Sequence, residues 1–221
     1  ERLDLVDREG LYISLLRDCA QENNIDIAAG SVIEEREGNI YNTSYYVDRS
    51  GEILSRYSKV HLWITERPFV TPGNRVEPFQ TAYGTAGLSI CWDLAFPEVY
   101  RAYAAQGAEI VFNVSFWGYE DAGEQGLSLN PDAECLFVDS CCIARAFENE
   151  LILVYCNTAD EWTIGGAVAH SVGRSQICVP FKGPVAHLDH TGEEMVIQEV
   201  DTAILKTAEE NYRIREDISG H

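Results

Sequence analysis

Apolar and polar residues alternate along this chain in two rhythms. Leu11, Leu15, Leu16 and Cys19 recur at helical spacing behind Asp7, a residue type that caps helices, so residues 8–21 are predicted to form an amphipathic helix. Residues 25–33 and 40–47 are short runs rich in Ile, Val and Tyr, and Asp48-Arg49-Ser50-Gly51 supplies turn chemistry before another strand ending near Tyr57. That arrangement reads as a meander. From 59 to 78 the periodicity disappears, with Pro68, Pro72, Gly73 and Pro78 as breakers, and a long irregular loop is expected there.

Beyond the loop, 87–91 is strand-like, Pro97 suits the first turn of a helix running to about 106, and 109–114 reads as a buried strand. A second helix is expected over 131–148, further strands over 151–156, 166–170, 174–179, 185–188 and 195–200, and a short helix over 202–211. Helices fall between strands, so the class is α/β with a mixed sheet or a pair of sheets. There is no internal repeat and no linker that would split residues 1–221 into two domains.

Composition narrows the function. A chain of 221 residues can bury a core without staples, and 46% hydrophobic with 24% charged residues excludes a disordered or collagen-like protein. The 16 basic and 36 acidic residues leave a net charge of −20, and no cluster of Lys and Arg offsets it, which sets nucleic acid aside as a partner. No apolar run is long enough to predict a membrane span, and Glu1-Arg2-Leu3-Asp4 lacks the order of a signal peptide. Seven cysteines, an odd number at irregular spacings with Cys141 and Cys142 adjacent, suggest reduced thiols and a cytoplasmic location.

Two segments carry candidate chemistry. In Gly87-Leu88-Ser89-Ile90-Cys91-Trp92-Asp93-Leu94-Ala95-Phe96-Pro97-Glu98, a cysteine ends a buried strand just before a helix, where open α/β sheets place their ligands and nucleophiles. In Tyr57-Ser58-Lys59-Val60-His61-Leu62, Lys59 closes a strand and opens the long loop. Its ammonium is placed to reach the same sheet edge, lower the thiol pKa and stabilise an oxyanion. His187 and His190 are spaced H-x-x-H, but on a strand they point to different faces, so no metal site is expected.

Together these segments, 32 positions apart from lysine to cysteine, resemble the nitrilase, or carbon-nitrogen hydrolase, superfamily. Ala28-Ala29-Gly30-Ser31, Tyr41-Asn42-Thr43, Gly107-Ala108-Glu109-Ile110 and Ala144-Arg145-Ala146-Phe147-Glu148-Asn149 extend the resemblance over nearly the whole chain. It implies an αββα sandwich and cofactor-independent hydrolysis of non-peptide C–N bonds through a cysteine thioester, with ammonia or an amine released. Cys91 is then the nucleophile, Lys59 and the backbone N–H of Trp92 hold the oxyanion, and Glu66 matches the family's additional glutamate. Trp63, Ser115, Phe116 and Trp117 are the candidate substrate-binding residues, with Phe69 and Tyr119 nearby, on an apolar or aromatic wall.

Trp92-Asp93 looks more like the amidase and carbamoyl-amide branch, whereas Glu66-Arg67 leans toward the nitrile-cleaving one. The small-molecule partner implied is an amide, a carbamoyl compound or a nitrile. A homodimer or larger homo-oligomer is also implied, through Tyr100 to Gln106 and the C-terminal segment.

The resemblance departs at the opening. The family's general-base glutamate lies in a Pro-Glu motif upstream of the helix with which this chain begins. No such motif precedes Arg8, and Glu1 stands in an acidic, non-strand context. The opening βαβ region is therefore expected to be missing from this chain. A non-catalytic family member or an inactive fragment, serving as a binding or assembly module, stays open as the alternative.

Overall fold

The computed structural model describes residues 6–164 and 166–219; Glu1 lies outside them. The opening helix, α1 (Leu11–Asn23), starts later than its apolar spacing suggests because Gly10 turns the chain at φ 70°. Asp7 still caps it, from one turn upstream: its carboxylate accepts the N–H groups of Gly10 (2.8 Å), Leu11 (3.2 Å) and Tyr12 (3.1 Å). Ile13, Leu16 and Ala20 of α1 pack on Tyr45 and Val47.

Those two residues belong to β3 (Asn39–Val47), the spine of a four-stranded antiparallel sheet. β4 (Ile53–Ser58) lies along one edge of it. The run 25–33 is not one strand: it breaks around Gly30 into β1 (Ile27–Ala28) and β2 (Val32–Arg36), which share the other edge, Ile27 opposite Val47 and Val32 opposite Thr43. Asp7 bridges Glu34 in parallel alongside β2.

The second sheet has six strands in the order β12-β11-β8-β7-β6-β5. They are β5 (Phe79–Thr81), β6 (Gly84–Ile90), β7 (Ile110–Val114), β8 (Ile152–Cys156), β11 (Gln176–Val179) and β12 (Gly183–His187). β6, β7 and β8 are parallel and the outer pairings antiparallel, so the sheet is mixed. The parallel strands are joined through α2 (Pro97–Ala105) and α4 (Ala133–Asn149), as βαβ crossovers require. Val111, Leu153 and Tyr155 face those helices, against Tyr100, Tyr103, Val138, Cys142 and Ala146.

The alternate residues Leu88, Ile90 and Val114 face the first sheet and meet Tyr46 and Tyr57. Helix, sheet, sheet and helices thus stack as the αββα sandwich. Of the segment 100–106, Tyr100 and Tyr103 are fully buried in this chain's own core, whereas Ala105 and Gln106 are exposed.

Other elements were not expected: the hairpin of β9 (Glu161–Ile164) and β10 (Ala167–His170) has only its second strand legible, and α3 (Gly123–Leu129) and α6 (Ile214–Ser219) are short. α5 (Ala203–Tyr212) covers the inner face at Ile152 and Val179 with Leu205. The expected strand over 195–200 does not form, and Met195 and Ile197 stay 79% and 86% exposed. An alternating pattern becomes a strand only where a sheet edge accepts its backbone, and here only Val200 packs. Among the described residues no helix is long and apolar enough to cross a membrane, and all seven cysteines are unpaired.

Candidate functional site

β6 delivers Cys91 to the carboxyl end of a parallel strand, where a 3-10 turn over Cys91–Ala95 leads into α2 with Pro97 in its first turn. Cys91 sits at φ 47°, in the left-handed region that costs a non-glycine residue ~1–3 kcal/mol and persists only when its surroundings impose it. Asp93 imposes it. Fully buried, its carboxylate accepts the Ile90 N–H (3.0 Å), the Tyr57 hydroxyl (2.8 Å) and the His61 N–H (2.9 Å), with His61 Nδ1 at 3.0 Å. The His61 ring in turn stacks on Phe96 at 3.7 Å. One carboxylate therefore joins the lysine segment to the cysteine segment, a role sequence reasoning missed. The available signal was an acid inside an apolar strand-turn run, which must find donors when buried.

Lys59 follows β4 and is 2% exposed. Its backbone N–H donates to the Asn42 carbonyl (2.9 Å), and its own carbonyl accepts the Gly73 N–H (2.8 Å). A Cβ at Gly73 would stand 2.0 Å from the Ser58 carbonyl oxygen, so only glycine lets the long loop return this close to the strand. Lys59 Nζ donates to Glu66 Oε2 at 2.7 Å. The same oxygen accepts the Trp63 N–H (2.7 Å), and Oε1 accepts Asn42 Nδ2 (2.6 Å). Glu66 is thus held by three donors from two elements.

The Cys91 thiol donates to the Phe116 carbonyl at 3.6 Å. Burial pushes its pKa above the ordinary thiol value, while the Lys59 charge and the Phe116 contact pull it down and Asp121 and Glu66 push it up. The Lys59 charge thus opposes burial at the thiol without outweighing it. Asp121, whose Oδ2 accepts the Gly118 N–H at 3.0 Å, is itself raised by burial, with Lys59 opposing.

Aromatic rings surround the cysteine turn. Trp92 meets Trp63 at 4.5 Å, Trp117 at 5.5 Å and Phe137 at 6.0 Å between ring centroids. Trp117, read as a cleft residue, is only 1% exposed; its Nε1 donates to Glu134 (2.6 Å) and its backbone N–H to Asn157 Oδ1 (2.9 Å), which makes it core. Ser115 is tied to Asn113 Oδ1 at 2.6 Å. Phe116 is 47% exposed and packs on Trp162 of β9 at 4.1 Å, a neighbour the sequence did not suggest. Tyr119 takes the Cys135 S–H at 3.3 Å. His187 and His190 turn to different acids, Asp139 (3.3 Å) and Glu194 (2.7 Å). Among the described residues no three His, Cys, Asp or Glu form a metal-holding group.

A probable hydrolase of Bacillus subtilis is 33% identical over 213 residues, which are 93% of this chain and 39% of that protein. The chain thus spans well under half the length of that relative. The carbon-nitrogen hydrolase of Helicobacter pylori superposes with a TM-score of 0.82 over 97% of this chain and 74% of its own, at 24% identity. An amidase from Nesterenkonia sp., solved as a cysteine-to-alanine mutant in complex with butyramide, superposes with a TM-score of 0.64 over 81% of this chain and 64% of its own, at 27% identity. The carbon-nitrogen hydrolase signature matches residues 6–209, and the chain belongs to that family.

Proposed function

We propose that this domain hydrolyses the C–N bond of a small amide or N-carbamoyl amide through a thioester on Cys91. The observation that carries the reading is a buried lysine pinned by a partly buried carboxylate and acting on a cysteine held in a left-handed turn at a strand end. The butyramide complex of the Nesterenkonia amidase favours a small amide over a nitrile.

In the first step the Cys91 sulfur attacks the carbonyl carbon and the carbonyl π electrons move to oxygen. The Lys59 ammonium and the Trp92 N–H hold that oxyanion; donors fixed in advance where charge develops need little reorganisation. The C–N bond then breaks, nitrogen leaves as ammonia or an amine with a proton from the acid-base group, and the thioester remains. Water attacks the thioester, the acid leaves, and the thiol is restored.

Glu66 is an unsuitable proton acceptor for this thiol because its oxygens are engaged with Lys59, Trp63 and Asn42. It orients Lys59. The acceptor in this reading is the Pro-Glu glutamate that the family resemblance implies, supplied from outside the described residues.

Incubation with fluoroacetamide followed by mass spectrometry tests the reading. The expected result is one covalent adduct on the Cys91 peptide, absent from Cys91→Ala. An adduct that survives the substitution overturns the assignment.

A further inference from the structure

We propose that Asn42 is the positioning residue of this site, the group that fixes the Lys59 ammonium in place by holding both its backbone and its carboxylate partner. This rests on the reading that Lys59 acts on Cys91. Along β3 side chains alternate between faces, and Tyr46 points into the layer between the sheets. Ser44 and Asn42, two and four positions earlier, share that face, so the Asn42 amide lies on the interior side, where the loop carrying Glu66 returns.

Three contacts then close a ring. The Lys59 N–H donates to the Asn42 carbonyl (2.9 Å), Lys59 Nζ donates to Glu66 Oε2 (2.7 Å), and Asn42 Nδ2 donates to Glu66 Oε1 (2.6 Å). Among the contacts described, no other side chain joins the Lys59 backbone to the carboxylate that its ammonium meets. The ring is shielded: Lys59 is 2% and Asn42 8% exposed, and the Glu66 side chain 15%. Water does not readily replace a lost member there.

The amide orientation follows from chemistry. Turned over, Asn42 would set Oδ1 against the Glu66 carboxylate, acceptor against acceptor, so Nδ2 must face Glu66. Oδ1 then points away from Glu66 and meets no hydrogen-bond partner among the described protein atoms. Alanine or serine at this position cannot reach Oε1, and Glu66 then keeps only the Trp63 N–H and Lys59 on Oε2, so it can turn about that oxygen and shift Lys59 with it.

The test reads the Cys91 thiol, which needs no substrate. Full-length protein is alkylated with iodoacetamide across a pH series, modification of the Cys91 peptide is followed by mass spectrometry, and folding of each variant is checked by its thermal transition. Lys59, Glu66 and Asp121 are the charged groups that act on this thiol. Below the midpoint the rate follows the thiolate fraction, so a shift of one pH unit is about tenfold in rate.

Asn42→Ala is expected to slow alkylation at pH 8 by ~3-fold and Lys59→Met by ~10-fold, both moving the midpoint upward. In the double variant Asn42→Ala adds nothing to Lys59→Met, because its effect passes through the lysine. A merely structural role moves the thermal transition and leaves the midpoint in place. A shift from Asn42→Ala that persists undiminished without Lys59, or none at all while Lys59→Met shifts, overturns the inference and spares the catalytic reading. A Lys59→Met protein with an unmoved midpoint overturns both. Should Asn42→Ala not fold, Asn42→Ser, which keeps a small polar group under β3, is carried through the same cycle.

Discussion

The lysine end and the cysteine end of the site are built on opposite principles. Around Lys59 the polar contacts close on one another: strand carbonyl, ammonium, carboxylate, amide N–H and loop N–H meet within a nearly dry ring. Around Cys91 the backbone is held in an unfavourable conformation, and the sulfur keeps a single long contact to a carbonyl beside a half-exposed Phe116. In the proposed reaction the difference suits what each group does. A group that receives developing negative charge acts best when it does not move, whereas a nucleophile must leave its resting contact, bond to carbon and carry an acyl group.

Removing the rigid member gives the largest effect. Lys59→Met is expected to lower hydrolysis by about 10²–10³-fold, the scale of losing an oxyanion-stabilising group. It also leaves the Glu66 carboxylate uncompensated, for a loss of about 3–5 kcal/mol of stability. Ammonia release and urea unfolding read the two effects separately. Unchanged turnover in a folded variant breaks the comparison.

Asp93 belongs to both ends and tests whether they are one device. In Asp93→Asn a single remaining acceptor oxygen must serve the donors from Ile90, Tyr57 and His61, and the amide nitrogen faces at least one of them. A destabilisation of about 2–4 kcal/mol is expected in urea unfolding, with Cys91 alkylation altered as its turn relaxes. A loss below about 1 kcal/mol would falsify the view that this carboxylate imposes the left-handed cysteine.

Why Asp93 and Asn42 escaped sequence reasoning while Lys59 and Cys91 did not is a matter of range. A lysine or cysteine at a strand end advertises its chemistry through residue type and the local switch from strand to loop or helix. Asn42 works on Glu66, 24 positions away, and Asp93 on His61, 32 positions away, so the partner of neither can be read from its own neighbourhood. The fold divides in the same way. α2 begins at Pro97, and β7 and β8 start within a residue of their apolar runs, because burial on both faces needs unbroken hydrophobicity. The run 25–33 and the segment 195–200 depart from their apolar pattern because strand pairing, not pattern, decides them. Trp117, at 1% exposure, belongs to the core, which its sequence context hides for a related reason: an aromatic residue after a strand reads alike whether it lines a cleft or fills a core.

The smallest expected effect sharpens the comparison most, since it acts on the loose end without touching the ring. Asp121 opposes Lys59: its negative charge raises the Cys91 pKa that the ammonium lowers. Asp121→Asn keeps an oxygen for the Gly118 N–H, so the fold is retained, and it removes the charge. Alkylation of Cys91 at pH 8 should then rise by ~2-fold, opposite in sign to Lys59→Met. Because burial raises the Asp121 carboxyl itself, wild-type protein loses that charge as the pH falls, and the two proteins should converge in acid. A gain that persists undiminished at low pH would mean that the substitution acts through packing, and the thiol end would then be less open to its neighbours' charges than the geometry implies.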